Sequence, residues 1–487
     1  MDSRITPAAL LLDLPPQALD GIDLLSFTTT PRFRGVKNLP AGLHFIFAGS
    51  TSALSERHGI WFYINPSPDT PPDLVIHKWD PQTETLVTET AEAEVLRHRA
   101  NLGSIWRDGL TPYRQTATSH AAQTTNDGGI VEENTVWPQL CSYITPELLT
   151  RVLGASWSMS SSSSAAIDLD SIPDLPSSLT SAAIPAEKLL RYLPIDLKRT
   201  WAPTATGRER TDAARDRSWY LCSLLAAHCS TSTSRDTDTT ATTTTDAPIP
   251  TPCQYNLLLG ELQLTHLTTL TLSNPSSLSQ YKRLLTLLLT SYTLVLSCPS
   301  LFTTLLPLLQ QQLSSTSTTA EAGGLLDLSD DEDASFFRDL LVRFRKNIAS
   351  LPRPSDEAVE AVESVLDALE SCQEWCRRCF GWRFEEAEGL ARIGGVSGMR
   401  DQYGEEVREQ EGVDEEEYDE MDERGEWAPV VLELTEAQRR MIGVDGDGIG
   451  DDVDGIGDDR DGKNEEEEEE EEEKEEEMDL EDMDARY

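Results

Sequence analysis

Residues 281–296 read Tyr-Lys-Arg-Leu-Leu-Thr-Leu-Leu-Leu-Thr-Ser-Tyr-Thr-Leu-Val-Leu. Tyr281, Leu284, Leu285, Leu288, Tyr292 and Val295 recur at helical spacing and fall on one face of an α-helix. Leu284–Leu296 carries no charge, but its 13 residues fall short of the ~20 needed to span a bilayer. Cys298-Pro299 then ends the run. The stretch therefore predicts a helix buried in a protein core, and no membrane partner is expected.

The same periodicity extends outward. Leu264, Leu267 and Leu270 form a stripe within Leu257–Leu272, and Leu301–Leu313 follows, with a kink expected at Pro307. Phe337, Leu341, Phe344 and Ile348 are spaced as a helix within Phe336–Ile348. Asp356–Phe380 is another, with Ser355 as N-cap and acids in its first turn. Asp212–His228 carries a shorter pattern. Residues 212–400 thus read as an all-α bundle of about five helices. Disordered insertions are expected near 230–252 and 314–332, the second starting in the Ser/Thr-rich run Ser314–Gly324.

Residues 1–153 read differently. Ala9–Leu14, Leu43–Ala48, Gly59–Ile64 and Leu74–Trp79 are short apolar runs punctuated by Pro, Gly, Asn and Asp, the pattern of a β-sandwich-like domain. Trp137–Leu153 closes this part as a helix, with Leu140, Ile144, Leu148 and Val152 at four-residue spacing. Residues 154–211 read as a low-complexity linker, too poor in apolar surface over much of their length to offset the entropy of ordering. The fold class is α+β multidomain.

The chain has 487 residues and a net charge of −46. Residues 401–487 hold 40 acidic and 8 basic side chains, so most of the excess lies in one tail, expected to be disordered. This balance argues against direct binding to nucleic acid. The eight cysteines are thinly spread, which fits a reducing compartment. Met1–Gln17 lacks the long apolar stretch of a secretory signal.

The search for catalytic motifs is negative. There is no P-loop, no His-Glu-x-x-His motif and no Gly-x-Ser-x-Gly elbow. The histidines form no ligand-spaced pair. Cys372, Cys376 and Cys379 share one face of a predicted helix with Leu366 and Leu369 and read as small core residues, because no nearby fourth ligand completes a zinc site. Asp445, Asp447 and Gly450 mimic a calcium loop, but Ile449 and Ile456 stand where ligands are required. No catalytic residue, metal or cofactor is expected. Ser329, followed by Asp330-Asp331-Glu332-Asp333, suits an acid-directed kinase; the same run also reads as an acidic loop before a helix.

Within the acidic tail lies Trp427-Ala428-Pro429-Val430-Val431-Leu432-Glu433-Leu434, with high strand propensity. The residues alone leave two readings. The segment could pair with the chain's own sheet, or Trp427, Val430, Val431, Leu432 and Leu434 could bind a partner by β-augmentation.

Several motifs together resemble the A1 cistron-splicing factor (AAR) family. They are Leu10-Leu11-Leu12-Asp13-Leu14-Pro15, Gly21-Ile22-Asp23, Phe33-Arg34-Gly35-Val36-Lys37, Pro40-x-Gly42-Leu43-His44-Phe45 and Lys78-Trp79-Asp80-Pro81. Trp137-x-x-Leu140 leads to Ile144-Thr145-Pro146-Glu147-Leu148. Leu259-Gly260-Glu261-Leu262-Gln263, Lys282-Arg283-Leu284-Leu285 and Phe380-Gly381-Trp382-Arg383-Phe384 follow, and Ala428–Leu434 comes last. The resemblance implies a β-rich domain followed by a VHS-like helical domain, without enzymatic activity. It implies a monomeric U5 snRNP assembly factor of nucleus and cytoplasm. Its partner would be the large U5 scaffold protein (pre-mRNA-processing factor eight), bound at RNase H-like and MPN-type domains before the helicase joins. It also implies that the Trp427–Leu434 segment pairs as a strand with that partner. The rival expectation is an acidic-tailed chaperone of histones or ribosomal proteins.

Overall fold

The computed structural model describes residues 6–51, 55–65, 73–114, 136–169, 185, 188–228, 250–319 and 325–384. All of them lie in the first of two compact units, Met1–Val396; the second is Ser397–Tyr487. The acidic tail and its expected disorder therefore lie outside the described residues, as do most of the low-complexity insertions.

Twelve strands are described. They are β1 (Ala8–Leu12), β2 (Leu19–Ile22), β3 (Leu25–Thr28), β4 (Gly35–Lys37), β5 (Gly42–Gly49), β6 (Arg57–Ile64), β7 (Leu74–Asp80), β8 (Thr85–Thr88), β9 (Leu110–Pro112), β10 (Ser158–Ser160), β11 (Ser164–Ala165) and β12 (Leu189–Leu190). One sheet runs β8-β7-β1-β4-β9 and the second β10-β6-β5-β2-β3, with β11-β12 as a small separate pair. The second sheet is antiparallel. The first is mixed, with β1 parallel to β7 and β4 parallel to β9.

Side-chain alternation along β5 explains the layering. Ile46 and Ala48 meet Ala9, Leu11 and Trp79 of the first sheet and form the sandwich interior. Leu43, Phe45 and Phe47 face the other way, onto Trp137, Leu148 and Leu267. The second sheet is therefore buried on both faces. The first sheet is covered outside by α1 (Glu92–Ile105), through Leu102 against Ala8, Leu10 and Ile76.

The helices after the sheets are α2 (Val136–Leu140), α3 (Pro146–Leu153), α4 (Ala166–Leu169), α5 (Arg208–Arg215), α6 (Ser218–His228), α7 (Pro252–Leu272), α8 (Pro275–Thr290), α9 (Pro299–Thr319), α10 (Asp331–Ala349) and α11 (Asp356–Phe380). Tyr281, Leu284, Leu285 and Leu288 are all buried, packed in one core with Phe302, Phe337, Phe344 and Val362. The α+β architecture agrees with the periodicity. No helix among the described residues is long and apolar enough to cross a membrane.

Several expectations change in detail. The Tyr281–Val295 stripe is not one helix. It ends at Thr290 and resumes as a 3₁₀ turn over Tyr292–Leu296. Thr290 and Ser291 hydroxyls donate to the carbonyls of Thr286 (2.6 Å) and Leu287 (2.7 Å), the back-bonding that bends helices. Trp137–Leu153 splits at 141–145 because Thr145-Pro146 starts a new helix. Thr145 Oγ1 accepts from Leu148 N–H at 3.3 Å, and Pro146 occupies the first turn. The Asp212–His228 pattern falls into α5 and α6. The Ser314–Gly324 insertion begins as helix, because α9 runs to Thr319 and buries Ser315 and Thr316. Cys372 and Cys376 are core residues as expected, but Cys379 is exposed. Pro307 lies inside α9, which continues on both sides of it.

The stretch 154–211 is more than a linker where it is described. Ser158–Ser160 pairs with β6, and Leu190, Tyr192, Leu193 and Ile195 are buried. Alternate apolar residues in Leu189–Ile195 supply that burial.

Candidate functional site

The helix that organises the molecule is α7. Every residue from Leu258 to Thr269 is buried, as are Thr271 and Leu272, which is the pattern of a helix covered all round. Leu264, Leu267 and Leu272 pack on the second sheet and on Trp137. Leu258, Leu259 and Leu262 pack on the bundle. Its threonines cost little to bury because they satisfy themselves. Thr265, Thr268, Thr269 and Thr271 each donate to the carbonyl four residues back, at 2.7–2.9 Å.

The run Leu259-Gly260-Glu261-Leu262-Gln263 forms the joint. At Gly260 a Cβ would stand 2.2 Å from the Tyr143 carbonyl oxygen and 2.8 Å from Leu148 Cδ2, so only glycine lets α7 approach the α2–α3 corner. The Gln263 side chain accepts from Tyr143 N–H at 2.7 Å and donates to the Gln139 carbonyl at 2.9 Å. Glu261 is fully buried. It accepts from Arg151 Nη2 at 2.6 Å, from Leu193 N–H at 2.9 Å and from Gln280 Nε2 at 2.9 Å. One carboxylate thus ties together α3, the Leu193 strap, α7 and α8. Burial raises its pKa; the Arg151 guanidinium pulls against this without cancelling it.

Further ties surround the joint. Asn274 caps α8 by accepting from Ser277 N–H at 2.8 Å, while its Nδ2 donates to the carbonyls of Ser160 and Ser163 at 3.0 and 2.8 Å. Arg283 pairs with Asp168 of α4 at 2.7 Å. Lys282 pairs with Asp333 of α10 at 2.7 Å and lies over the Phe336 ring. Trp137 Nε1 donates to the Leu43 carbonyl at 2.7 Å.

A second buried polar group sits in the sandwich. Asp23 accepts from Phe45 N–H at 2.9 Å, from His44 Nδ1 at 2.9 Å and from the Tyr113 hydroxyl. His44 Nε2 lies 3.0 Å from the Pro40 carbonyl. Both ring nitrogens thus face acceptors, which requires the imidazolium. Burial disfavours that charge, but Asp23 and the Pro40 carbonyl outweigh it and raise the His44 pKa. An imidazolium engaged on both sides, 1% exposed, has no free nitrogen with which to act as a base. Among the described residues, no group of three or more His, Cys, Asp or Glu could hold a metal ion.

His58 and His77 behave oppositely. Burial lowers both to about 4, with the neighbouring His58 adding to the effect at His77. Folding therefore keeps them neutral, whereas the unfolded chain binds protons near pH 6.5. For these two groups the unfolded state binds more protons between those values, so their contribution to stability falls as pH drops from 6.5 to 4. Each contributes a loss of roughly 3 kcal/mol across that window. His44 does not offset this, because its contribution is already complete below 6.5 and is lost only as pH rises through its folded value. Urea denaturation of the natural chain and of His77→Gln at pH 7, 5.5 and 4.5 should differ in pH dependence, the variant losing about half of the histidine contribution. Asp20 and Glu261, whose pKa burial raises, oppose the decline in the same window, so a pH dependence of His77→Gln identical to that of the natural chain would contradict the buried neutral assignment.

The residues expected to bind a partner, Trp427, Val430, Val431, Leu432 and Leu434, lie outside the described residues. Ser329, by contrast, is placed. It precedes the Asp330 N-cap of α10, and its hydroxyl donates to Asp327 at 2.5 Å. The joint residues Glu261, Gln263, Lys282 and Arg283 stand in the recognised motifs. Not legible in the sequence are Arg151, the partner of Glu261, Asp168, the partner of Arg283, and the separate tie through Asn274. A lone Glu and Gln inside a leucine-rich helix is the signal that such partners must exist, since a buried carboxylate requires donors.

Two family models match the chain. One, described as the AAR2 N-terminal domain, covers residues 6–154. The other, the AAR2 C-terminal repeat region, covers residues 192–385. Among curated proteins, the chain is similar to Protein AAR2 homolog of Mus musculus, 32% identical over 97 residues. That alignment covers 19% of this chain and 24% of the mouse protein, so the chain spans about a quarter of the relative it matches. The two models follow one another in order, cover well over half of the chain, and meet at the joint built by α7; this chain belongs to the AAR2 family.

Proposed function

We propose that this chain is a non-catalytic pre-mRNA splicing factor acting in U5 snRNP assembly. It binds the large U5 scaffold protein, at RNase H-like and MPN-type domains, and holds it before the helicase joins, in nucleus and cytoplasm. Family membership carries the reading. The described unit supports it as a binding scaffold, because the motif residues Gly260, Glu261, Gln263 and Arg283 are spent on joining the sheet domain to the bundle. In this reading Trp427–Leu434 adds as a strand to the partner's sheet, and the folded unit supplies the remaining contacts.

The −32 tail favours a second reading, an acidic chaperone in which the glutamates carry function. Affinity purification of the tagged full chain and of a chain ending at Met441, with identification of co-purified proteins, separates the two. The splicing reading expects the U5 scaffold protein with both. Recovery of histones or ribosomal proteins, lost on truncation, would establish the rival.

A further inference from the structure

The sandwich is closed on one side and open on the other. On the closed side, β8 leans on β6, and its Leu86 N–H donates to His58 Nδ1 at 3.0 Å. On the open side the sheets end in β3 and β9. Between them lies a groove of about 310 Å³, lined by Leu25, Phe27, Phe33, Val36, Pro112 and Arg114 among others.

β3 offers this groove a free edge. β2 and β3 form a hairpin around Asp23-Leu24, with Ile22 opposite Leu25 and Asp20 opposite Phe27. In such a hairpin the pair beside the turn exchanges hydrogen bonds, and so does every second pair after it. Leu25 and Phe27 therefore bond to β2, while Ser26 and Thr28 direct their N–H and C=O groups outward. The bond from Thr29 N–H to the Ala18 carbonyl, 2.9 Å, fits that alternation. Among the described residues no strand lies beyond β3 and no turn bond uses those groups. The opposite rim is blunted, because Pro112 of β9 has no N–H to offer an added strand.

The surroundings are basic. Arg32 and Arg34 flank Phe33, and Arg107 precedes β9; all three are exposed. None of the three forms an ion pair among the described residues. Asp108 is the one acid in that turn.

We propose that the β3 edge and its apolar groove dock an extended peptide segment of a partner protein, with apolar side chains at alternate positions between acidic ones. The peptide adds to Ser26 and Thr28 as a strand. Its inward side chains enter the groove on Leu25 and Phe27, and its acidic flanks meet Arg32, Arg34 and Arg107. This site receives a strand and is independent of the tail segment proposed to donate one.

The test is fluorescence anisotropy with the full chain and a labelled synthetic peptide in which valine alternates with threonine between glutamate pairs. Saturable binding is expected, at least about tenfold weaker when lysines replace the glutamates. Ser26→Pro should weaken binding by about tenfold or more without moving the melting temperature, since an edge strand tolerates proline. The double change Arg32→Glu with Arg34→Glu, both on the surface, should reverse the preference between the two peptides. No binding, no charge preference, or equal binding by Ser26→Pro overturns the proposal. A dimer in sedimentation that Ser26→Pro dissolves assigns the edge to a second copy and overturns it too. Binding seen only after deletion of Trp427–Leu434 assigns it to the chain's own tail, with the same consequence.

Discussion

Glu261→Ala should lower the unfolding free energy by about 3–5 kcal/mol, the usual cost of removing one partner of a buried ion pair. The carboxylate is fully buried and accepts from Arg151, Leu193 N–H and Gln280. Its removal takes the partner from the half-buried Arg151 guanidinium, leaves the buried Leu193 N–H without its acceptor, and opens a cavity between α3, α7 and α8. Because those elements belong to both halves of the folded unit, the effect should reach beyond stability. Urea denaturation followed by tryptophan fluorescence should show one transition for the natural chain and an earlier, broader one for the variant. The double variant Arg151→Leu with Glu261→Leu is the control. It removes both charges, and an apolar replacement of a buried pair is often neutral, so it should recover much of the loss. A decrease below about 1 kcal/mol for Glu261→Ala, the level of an exposed pair, would show that the joint does not depend on this group.

His44→Ala should cost a similar amount, about 3–5 kcal/mol, for the same reason. Asp23 is 0% exposed and would keep only Phe45 N–H and the Tyr113 hydroxyl as donors. Tyr113→Phe removes one hydrogen bond and leaves the charge pair intact, so it should cost about 1–3 kcal/mol. The ranking matters more than either value. If Tyr113→Phe proved the more damaging, the imidazolium assignment would be wrong. An NMR titration of His44 adds an independent check. Its ring should stay protonated above pH 6.5, whereas His58 and His77 should stay neutral well below it.

The long apolar runs were legible in the sequence because one physical signal dominated them. Ala9–Leu14, Leu43–Ala48, Gly59–Ile64 and Leu74–Trp79 are strands to within about two residues at their ends. Asp356–Phe380 is a helix from its first residue to its last, with Ser355 accepting from Ala358 N–H at 3.2 Å. β2 was missed because Leu-Asp-Gly-Ile reads as turn punctuation. Its glycine is required, since a Cβ at Gly21 would meet the Phe47 ring at 2.1 Å. Its Asp20 is a buried carboxyl that burial raises well above the usual range. α1 was missed because Glu92–Ile105 buries only Leu102 and shows no apolar stripe. The stripe in Leu257–Leu272 predicts a helix with one buried face. The structure buries both, and no local pattern says which neighbour covers the second. The joint was half legible: the motif was visible, while Arg151, Asp168 and Asn274 stand more than a hundred residues from the groups they meet.

In the proposed function this chain holds a partner protein through its folded unit and the Trp427–Leu434 strand, and not through its charge. Calorimetric titration with the large U5 scaffold protein's RNase H-like and MPN-type domains decides this. The titrated proteins are the full chain, the chain ending at Met441 and the chain lacking Trp427–Leu434. Equal affinity is expected for the first two and a loss of at least about tenfold, roughly 1.4 kcal/mol, for the third. No binding by the full chain, or binding lost at Met441 and untouched by the deletion, would contradict it.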